Sequence, residues 1–352
     1  MTESFSRRQF GNLLAAAALG TTGLPAAAAA HRKKSMHLIK PRRLQPGDLV
    51  GIVAPGGHTS DGALAKAVAN IESLGLRVRL GDNINYVYGN YGGTVAQRLE
   101  DLHGMFLDPE IKAVWAIRGG SGCISLLEHI DYQLIRANPK ILIGYSDITA
   151  LHLALLRHSG LVTFHGPVAS STFSEYSVSQ LQNVLMTPHD SYTIAMSTDN
   201  AQKALEQPNY AIRTVHEGIA TGRLIGGNLS LVAALAGTPY AADFHDAILY
   251  LEEVNEEPYR VDRMMTQLQL SQGFRHAAAV MLGIFENCEA TDGESALTLD
   301  ETVDQHLLPL TRPAVAGYSF GHIRNQFTIP VGLRARLDSG QQTLTLLEPA
   351  VI

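Results

Sequence analysis

From residue 48 to about 170 the chain alternates short apolar runs with stretches whose apolar residues recur every three or four positions. DLVGIVAPGG (48–57) reads as a strand ending in a glycine turn, GALAKAVANIESLG (62–75) as an amphipathic helix closed by glycine, and LRVRLG (76–81) as a second strand. TVAQRLEDLHGMFLD (94–108) repeats the helical period, IKAVWAIRGG (111–120) is a strand into a glycine pair, and KILIGYSD (140–147) is another strand. Strict alternation of strand and helix implies right-handed parallel crossovers. The expected fold class is therefore α/β, a doubly wound sheet with helices on both faces. Ligands in such sheets bind beyond the carboxyl ends of the strands. That makes APGG, IRGGSG and GYSD the segments where chemistry is expected.

Between about 171 and 215 the sequence turns rich in Ser, Thr, Asn and Gln, with a faint strand signal in DSYTIAM (190–196). It reads as a connection. Beyond it GRLIGGNLSLVAALAGTPY (222–240) looks like a glycine turn feeding a short helix. AILYLEEV (247–254) then reads as a strand, YRVDRMMTQLQLSQG (259–273) as a helix, and AAAVMLGIFE (277–286) and PAVAGYSFGH (313–322) as strands. The expected organisation is an N-terminal α/β unit over 37–170, a connection over 171–215 and a C-terminal α/β unit over 216–352.

Residues 1–30 are excluded from that fold. SFSRRQFGNLLAAAALGTTGLPAAAAAH (4–31) has the parts of an export signal: the pair Arg7–Arg8, an Ala/Leu segment, and alanine-rich A-x-A sites near 26 to 30. The apolar segment is too short and too rich in Ala and Gly for a span of roughly 20 residues. A cleaved twin-arginine leader is expected, with a mature protein starting near His31, working outside the cytoplasm and carrying no membrane span.

Composition narrows the function. A formal net charge of −6, with charges dispersed, gives no basic face for nucleic acid. Two cysteines, Cys123 and Cys288, rule out a disulfide framework and read as small buried residues. The histidines lack metal-ligand spacing such as H-E-x-x-H, so neither a metal nor another cofactor is expected.

Why a buried strand should end in GYSD admits two answers. Ser146 and Asp147 are both favoured at helix N-caps. Equally, a serine on a tight turn between strand and helix is exposed at the sheet edge, where the first N–H groups of the helix stabilise an oxyanion. GYSDI departs from the G-x-S-x-G elbow, since Ile148 occupies the last glycine position. A nucleophilic serine needs a base, and the base an orienting group. His322, after the glycine of GYSFGH, and His165 in FHGPV both stand near strand ends. Glu252 and Glu253 end AILYLEEV, and strand alternation lets only one of them face a given site.

Taken together, IRGGSG, GYSDITALHLAL, GGNLSLVAALAGTPY, LEEVNEEPYRVDRMM and AGYSFGH, in that order, resemble the LD-carboxypeptidase family of serine peptidases. That family includes the muramoyl-tetrapeptide carboxypeptidases and the microcin-immunity peptidases. The likeness extends from VGIVAPGG to IPVGLRARLD. It implies Ser146 as nucleophile, His322 as base and Glu252, with Glu253 as the fallback, as its partner. It also implies an oxyanion hole from the backbone amides of Asp147 and of the turn Gly119–Gly120. Arg118 is a candidate for the carboxylate of a substrate. Ser121 stands where the family often has an aromatic residue, which bears on substrate packing. The implied fold joins an N-terminal domain like that of class I glutamine amidotransferases to a smaller C-terminal α/β domain, with dimers common. The implied substrate is a peptidoglycan stem tetrapeptide that loses its terminal D-alanine. The family's recycling carboxypeptidases are usually cytoplasmic, so the leader expected at 1–30 bears against a recycling role rather than against the chemistry. A serine peptidase acting on peptide-antibiotic or acyl-nucleotide conjugates, an esterase, and a two-lobed binding protein without chemistry are the other readings.

Overall fold

A computed structural model describes residues 37–291 and 296–352; the leader expected at 1–30 lies outside the described residues. Where the sequence runs apolar without interruption the chain forms strands buried on both faces, as parallel sheets require. These are β1 (Leu49–Val53), β3 (Ile111–Ala116), β4 (Ile141–Gly144) and β5 (Thr163–His165), while β2 (Arg77–Leu80, RVRL) is the partly exposed edge strand. They pair in parallel in the order β5-β4-β3-β1-β2. The crossovers carry α1 (Asp61–Ser73), α2 (Val95–Leu107), α3 (Tyr132–Ala137) and α4 (Thr149–Ser159).

Local chemistry sets the helix ends. The Ser60 side chain accepts from the Ala63 N–H at the start of α1, Thr94 and Gln97 form a reciprocal capping box on α2, and Asp131 caps α3. Gly160, at φ 73°, ends α4 in the left-handed region that glycine enters without steric cost.

The second sheet is mixed. Its members are β6 (Tyr192–Ile194), β7 (Arg213–His216), β8 (Ile219–Asn228), β9 (Ala247–Val254), β10 (Ala279–Glu286), β11 (Ala314–Ala316), β13 (Arg334–Asp338) and β14 (Thr343–Leu346). The order is β6-β14-β13-β8-β9-β10-β11-β7, with β8, β9, β10 and β11 parallel at its centre. Residues 171–215 hold α5 (Glu175–Leu185), β6, α6 (Thr198–Lys203) and β7, so the polar stretch supplies both edge strands of this sheet. The remaining helices are α7 (Leu229–Ala234), α8 (Pro258–Gln272) and α9 (Leu299–Leu307).

Two features differ from the sequence reading. GRLIGG is the end of the ten-residue strand β8 rather than a turn. Its glycines are demanded by crowding: a Cβ on Gly226 would lie 1.7 Å from the Tyr250 carbonyl oxygen, and one on Gly227 2.5 Å from the Thr149 side chain. The second feature is β12 (Ile329–Val331), which lies late in the chain yet pairs antiparallel with β5 of the first sheet. The segment holding His322 therefore runs from β11 in one sheet to β12 in the other.

Helix α4 packs where the two sheets meet. Nine of its eleven residues are buried, and the Thr149 hydroxyl accepts from the Asn228 N–H at the end of β8, at 3.0 Å. A helix covered on nearly all sides fixes its own N-terminus firmly. That N-terminus is the GYSD segment.

Candidate active site

Strand β4 ends at Gly144, and the chain turns through Ser146–Ile148 directly into α4. Ser146 has φ 64°, a left-handed conformation unusual for a residue with a Cβ. It is half-buried. Helix N-caps have extended backbone, so the capping explanation does not fit this residue. A serine strained on a strand-to-helix turn is instead the arrangement that presents a hydroxyl at the sheet edge.

The glycine turn after β3 lies against it. A Cβ on Gly119 would stand 2.6 Å from the Ser146 Cβ, 2.8 Å from its Oγ and 3.2 Å from the Asp147 nitrogen. Gly120 follows at φ 97°. Among the described residues neither the Gly120 nor the Asp147 N–H donates to a protein acceptor. The Gly119 carbonyl accepts from the Gly57 N–H at 2.8 Å, so the APGG segment braces this turn from behind.

Asp147 itself is buried, and its Oδ2 accepts from the Cys123 N–H at 2.8 Å. Burial raises its pKa, partly countered by the Cys123 hydrogen bonds and the charge of Arg98. Arg98, also buried, donates to the carbonyls of Pro55 and Gly122 at 2.7 and 3.0 Å and to the Ser125 hydroxyl at 3.1 Å. One cation thus ties together the loops after β1 and β3. It projects from the apolar stripe of α2, along with Leu102 and Met105, and a charged residue in such a stripe was the signal available in the sequence.

From the second sheet come Glu252 and His322. Seven of the eight residues of β9 are buried, both glutamates among them, so each carboxylate needs partners to offset its desolvation. Glu253 finds them at the start of α7: its Oε1 accepts from Asn228 Nδ2 at 2.8 Å, and its Oε2 from the Ser230 N–H and hydroxyl at 2.8 and 2.7 Å. Glu252 points the other way, as strand alternation requires. Its Oε2 lies 2.7 Å from His322 Nδ1, while its Oε1 has no protein partner among the described residues. Gly321, at φ 126°, lets the chain approach so closely that a Cβ there would be 3.2 Å from the Glu252 Cβ. Burial lowers the pKa of His322, but the charge of Glu252 and its hydrogen bond outweigh burial and leave it above its ordinary value.

The edge of the His322 ring meets the Tyr145 ring at a centroid distance of 4.8 Å, which joins this pair to the residue preceding Ser146. The other candidate, His165, is fully buried with both ring nitrogens unpartnered among the described residues. It packs against Tyr250 and Tyr145, and burial drives its pKa well down. Arg118 is exposed and donates to the His58 carbonyl at 3.2 Å, and Ser121 is exposed on the same turn. Among the described residues no group of three or more His, Cys, Asp or Glu is placed to hold a metal.

The models of the LD-carboxypeptidase N-terminal and C-terminal domains match residues 50–166 and 221–337. The chain is 36% identical over 307 residues to a probable murein peptide carboxypeptidase of Bacillus subtilis, covering 87% of this chain and 94% of that protein. It is 33% identical over 300 residues to the murein tetrapeptide carboxypeptidase of Pseudomonas aeruginosa, covering 83% and 94%. Among solved structures, an MccF-like protein from Bacillus anthracis superposes with a TM-score of 0.77 at 29% identity, covering 88% of this chain and 99% of that one.

Proposed function

The chain belongs to the LD-carboxypeptidase family, and from that membership, the left-handed Ser146 and the Glu252–His322 hydrogen bond we propose that it is a serine carboxypeptidase releasing terminal D-alanine from peptidoglycan stem tetrapeptides. The observation that carries this reading is the left-handed Ser146 with Gly119 pressed against its hydroxyl. A Cβ on that glycine would also stand 3.2 Å from the Asp147 nitrogen, and neither the Asp147 nor the Gly120 N–H has a protein acceptor among the described residues, which supports reading both as oxyanion donors.

With Nδ1 donating to Glu252 Oε2, His322 Nε2 is left with a lone pair to take the Ser146 proton. The serine oxygen attacks the scissile carbonyl, and its developing negative charge is taken up by the Asp147 and Gly120 amides. The charged His322 returns the proton to the departing amine of D-alanine. Water then hydrolyses the acyl-enzyme with His322 again as base. General-base assistance is worth about 10²- to 10⁴-fold and one oxyanion donor about 10²- to 10³-fold.

The relatives that bear the names murein peptide and murein tetrapeptide carboxypeptidase support the stem tetrapeptide as substrate, cleaved at the L-centre of its diamino acid. With a twin-arginine leader at 1–30, the reaction belongs outside the cytoplasm, on the wall or on released muropeptides. A second reading keeps the same residues but gives them peptide-antibiotic or acyl-nucleotide conjugates; the likeness to an MccF-like structure favours it.

Incubation of the purified protein with tetrapeptide muropeptide and with an aminoacyl-nucleotide conjugate, read by mass spectrometry beside Ser146→Ala, tests both. Loss of one alanine from the muropeptide alone, absent in the variant, is the expected result. Equal product from the variant overturns the role of Ser146, and turnover of the conjugate alone establishes the second reading.

A further inference from the structure

The loop 82–93, between β2 and α2, reads DNINYVYGNYGG: three tyrosines, three asparagines, one acid and no cation. Tyr86, Val87 and Tyr88 are 53%, 60% and 62% exposed, the only three consecutive large apolar side chains so exposed among the described residues. Single exposed apolar residues are ordinary, but a contiguous set marks a surface that meets something.

The loop is held firmly. Tyr88 and Tyr91 exchange both backbone hydrogen bonds at 3.0 Å around a turn in which Gly89 takes φ 59°. The Gly92 N–H donates to the Gly56 carbonyl at 2.9 Å, and the His58 N–H to that of Asn90 at 3.3 Å. At its base, Asn83 is fixed by the Asp101 carboxylate. The tyrosines are therefore carried outward on a backbone pinned by hydrogen bonds at both ends and across its turn, which lowers the cost of ordering them on binding.

The loop also packs on the segments that hold the turn beside the serine. Gly57, bridged to Tyr91, donates its N–H to the Gly119 carbonyl at 2.8 Å, Gly56 packs on the same carbonyl, and a Cβ on Gly122 would stand 2.6 Å from the Tyr91 ring. Gly119 in turn lies against Ser146.

We propose that this loop is a carbohydrate subsite, taking the sugar that carries the stem peptide. The proposal rests on the tetrapeptide reading above. Tyrosine faces supply rigid apolar area that suits the C–H face of a pyranose, and their hydroxyls stay in water. The exposed amides of Asn85 and Asn90 offer both donors and acceptors for sugar hydroxyls. A strongly charged partner would call for countercharge, and Asp82 is the loop's only charged residue.

The test is binding of the N-acetylglucosaminyl-N-acetylmuramic acid disaccharide, without peptide, to the full protein by calorimetry, beside Tyr86→Ala and Tyr88→Ala. This readout needs no turnover, so it separates the subsite from the tetrapeptide reading. The expected result is saturable binding weakened about three- to tenfold in each variant, with thermal unfolding unchanged. KM for disaccharide-tetrapeptide should rise by the same factor while kcat, and kcat/KM for free tetrapeptide, stay put. Absence of disaccharide binding, or equal binding by the variants, overturns the proposal whatever the turnover assay gives. So does a shift from dimer to monomer on sedimentation with sugar binding intact, which would give the surface to a second copy of the chain.

Discussion

Glu252 Oε2 and His322 Nδ1 stand 2.7 Å apart, the carboxylate wholly buried and the ring still reached by solvent on one side. The neighbouring Glu253 is fully occupied at the start of α7. The two glutamates should therefore respond differently to the same change. Glu252→Gln is expected to lower kcat on tetrapeptide about 10²- to 10⁴-fold with little loss of stability. Glu253→Gln should cost about 1–3 kcal/mol of stability, through the unsatisfied groups it leaves behind, while kcat stays within about tenfold. Steady-state kinetics with chemical denaturation on both variants decide it. The reverse ranking would exchange their roles.

The pH dependence follows from the same pair. Burial favours neutral His322, whereas the Glu252 charge and hydrogen bond favour the cation and prevail, so its pKa lies above the ordinary value. The ring serves as a base only when neutral. Hence kcat/KM should be low in acid and rise with pH through an apparent pKa above about 6.5. In Glu252→Gln the main support is gone while burial, and only the weaker pull of Glu253 and Glu286, remains, so the acid limb of the residual activity should move to lower pH even as the rate falls. A pH–rate profile in which the limb stays in place would mean that another group controls it.

Gly119 admits no side chain. In Gly119→Ala the new methyl would meet the Ser146 Cβ and Oγ at 2.6 and 2.8 Å, distances that backbone-borne atoms do not tolerate. Either the turn retreats or the serine rotates, and in both cases the oxyanion donors lose their register with the hydroxyl. A fall of about 10²-fold or more in kcat is expected, with an overpacking cost of about 1–3 kcal/mol read from thermal unfolding. Activity near wild type would show that the turn is not part of the oxyanion site.

How much of this the sequence discloses depends on the element. Strands β1 and β4 are wholly buried apolar runs, β3 is broken only by the exposed Lys112 and β9 is apolar up to its two glutamates, and the helices α1, α2 and α3 carry recognisable caps. Ser146, Glu252 and His322 stand out for the same reason, as polar residues closing apolar runs. The glycines of β8 read as a turn because their cause is the backbone of β9 and the side chain of Thr149, groups remote in sequence. Strands of three residues such as β5 and β12 are too short for a period to appear, and their pairing across 160 or so positions is a tertiary fact. The family resemblance implies Glu252 as the partner of His322, but the residue pattern by itself does not choose. Alternation says only that the two differ, and it takes Asn228 and Ser230 at the neighbouring strand end to say which is which.

Asp147 supplies the sharpest remaining division between backbone and side chain. Its carboxylate accepts the Cys123 N–H at 2.8 Å inside a buried loop network, while its own N–H faces the serine turn with no protein acceptor among the described residues. If the amide is the catalytic group and the carboxylate holds the loop, the two functions separate by mutation. Asp147→Asn keeps an oxygen for Cys123 and relieves a charge whose burial is unfavourable, so stability should change by less than about 1 kcal/mol and kcat stay within about tenfold. Asp147→Ala leaves the Cys123 N–H buried without an acceptor and should cost about 1–3 kcal/mol, with kcat falling only as far as the loop loosens. Denaturant unfolding and steady-state kinetics on the two variants are the measurement. Loss of catalysis in a fully stable Asp147→Asn protein would give the carboxylate itself a place in the reaction.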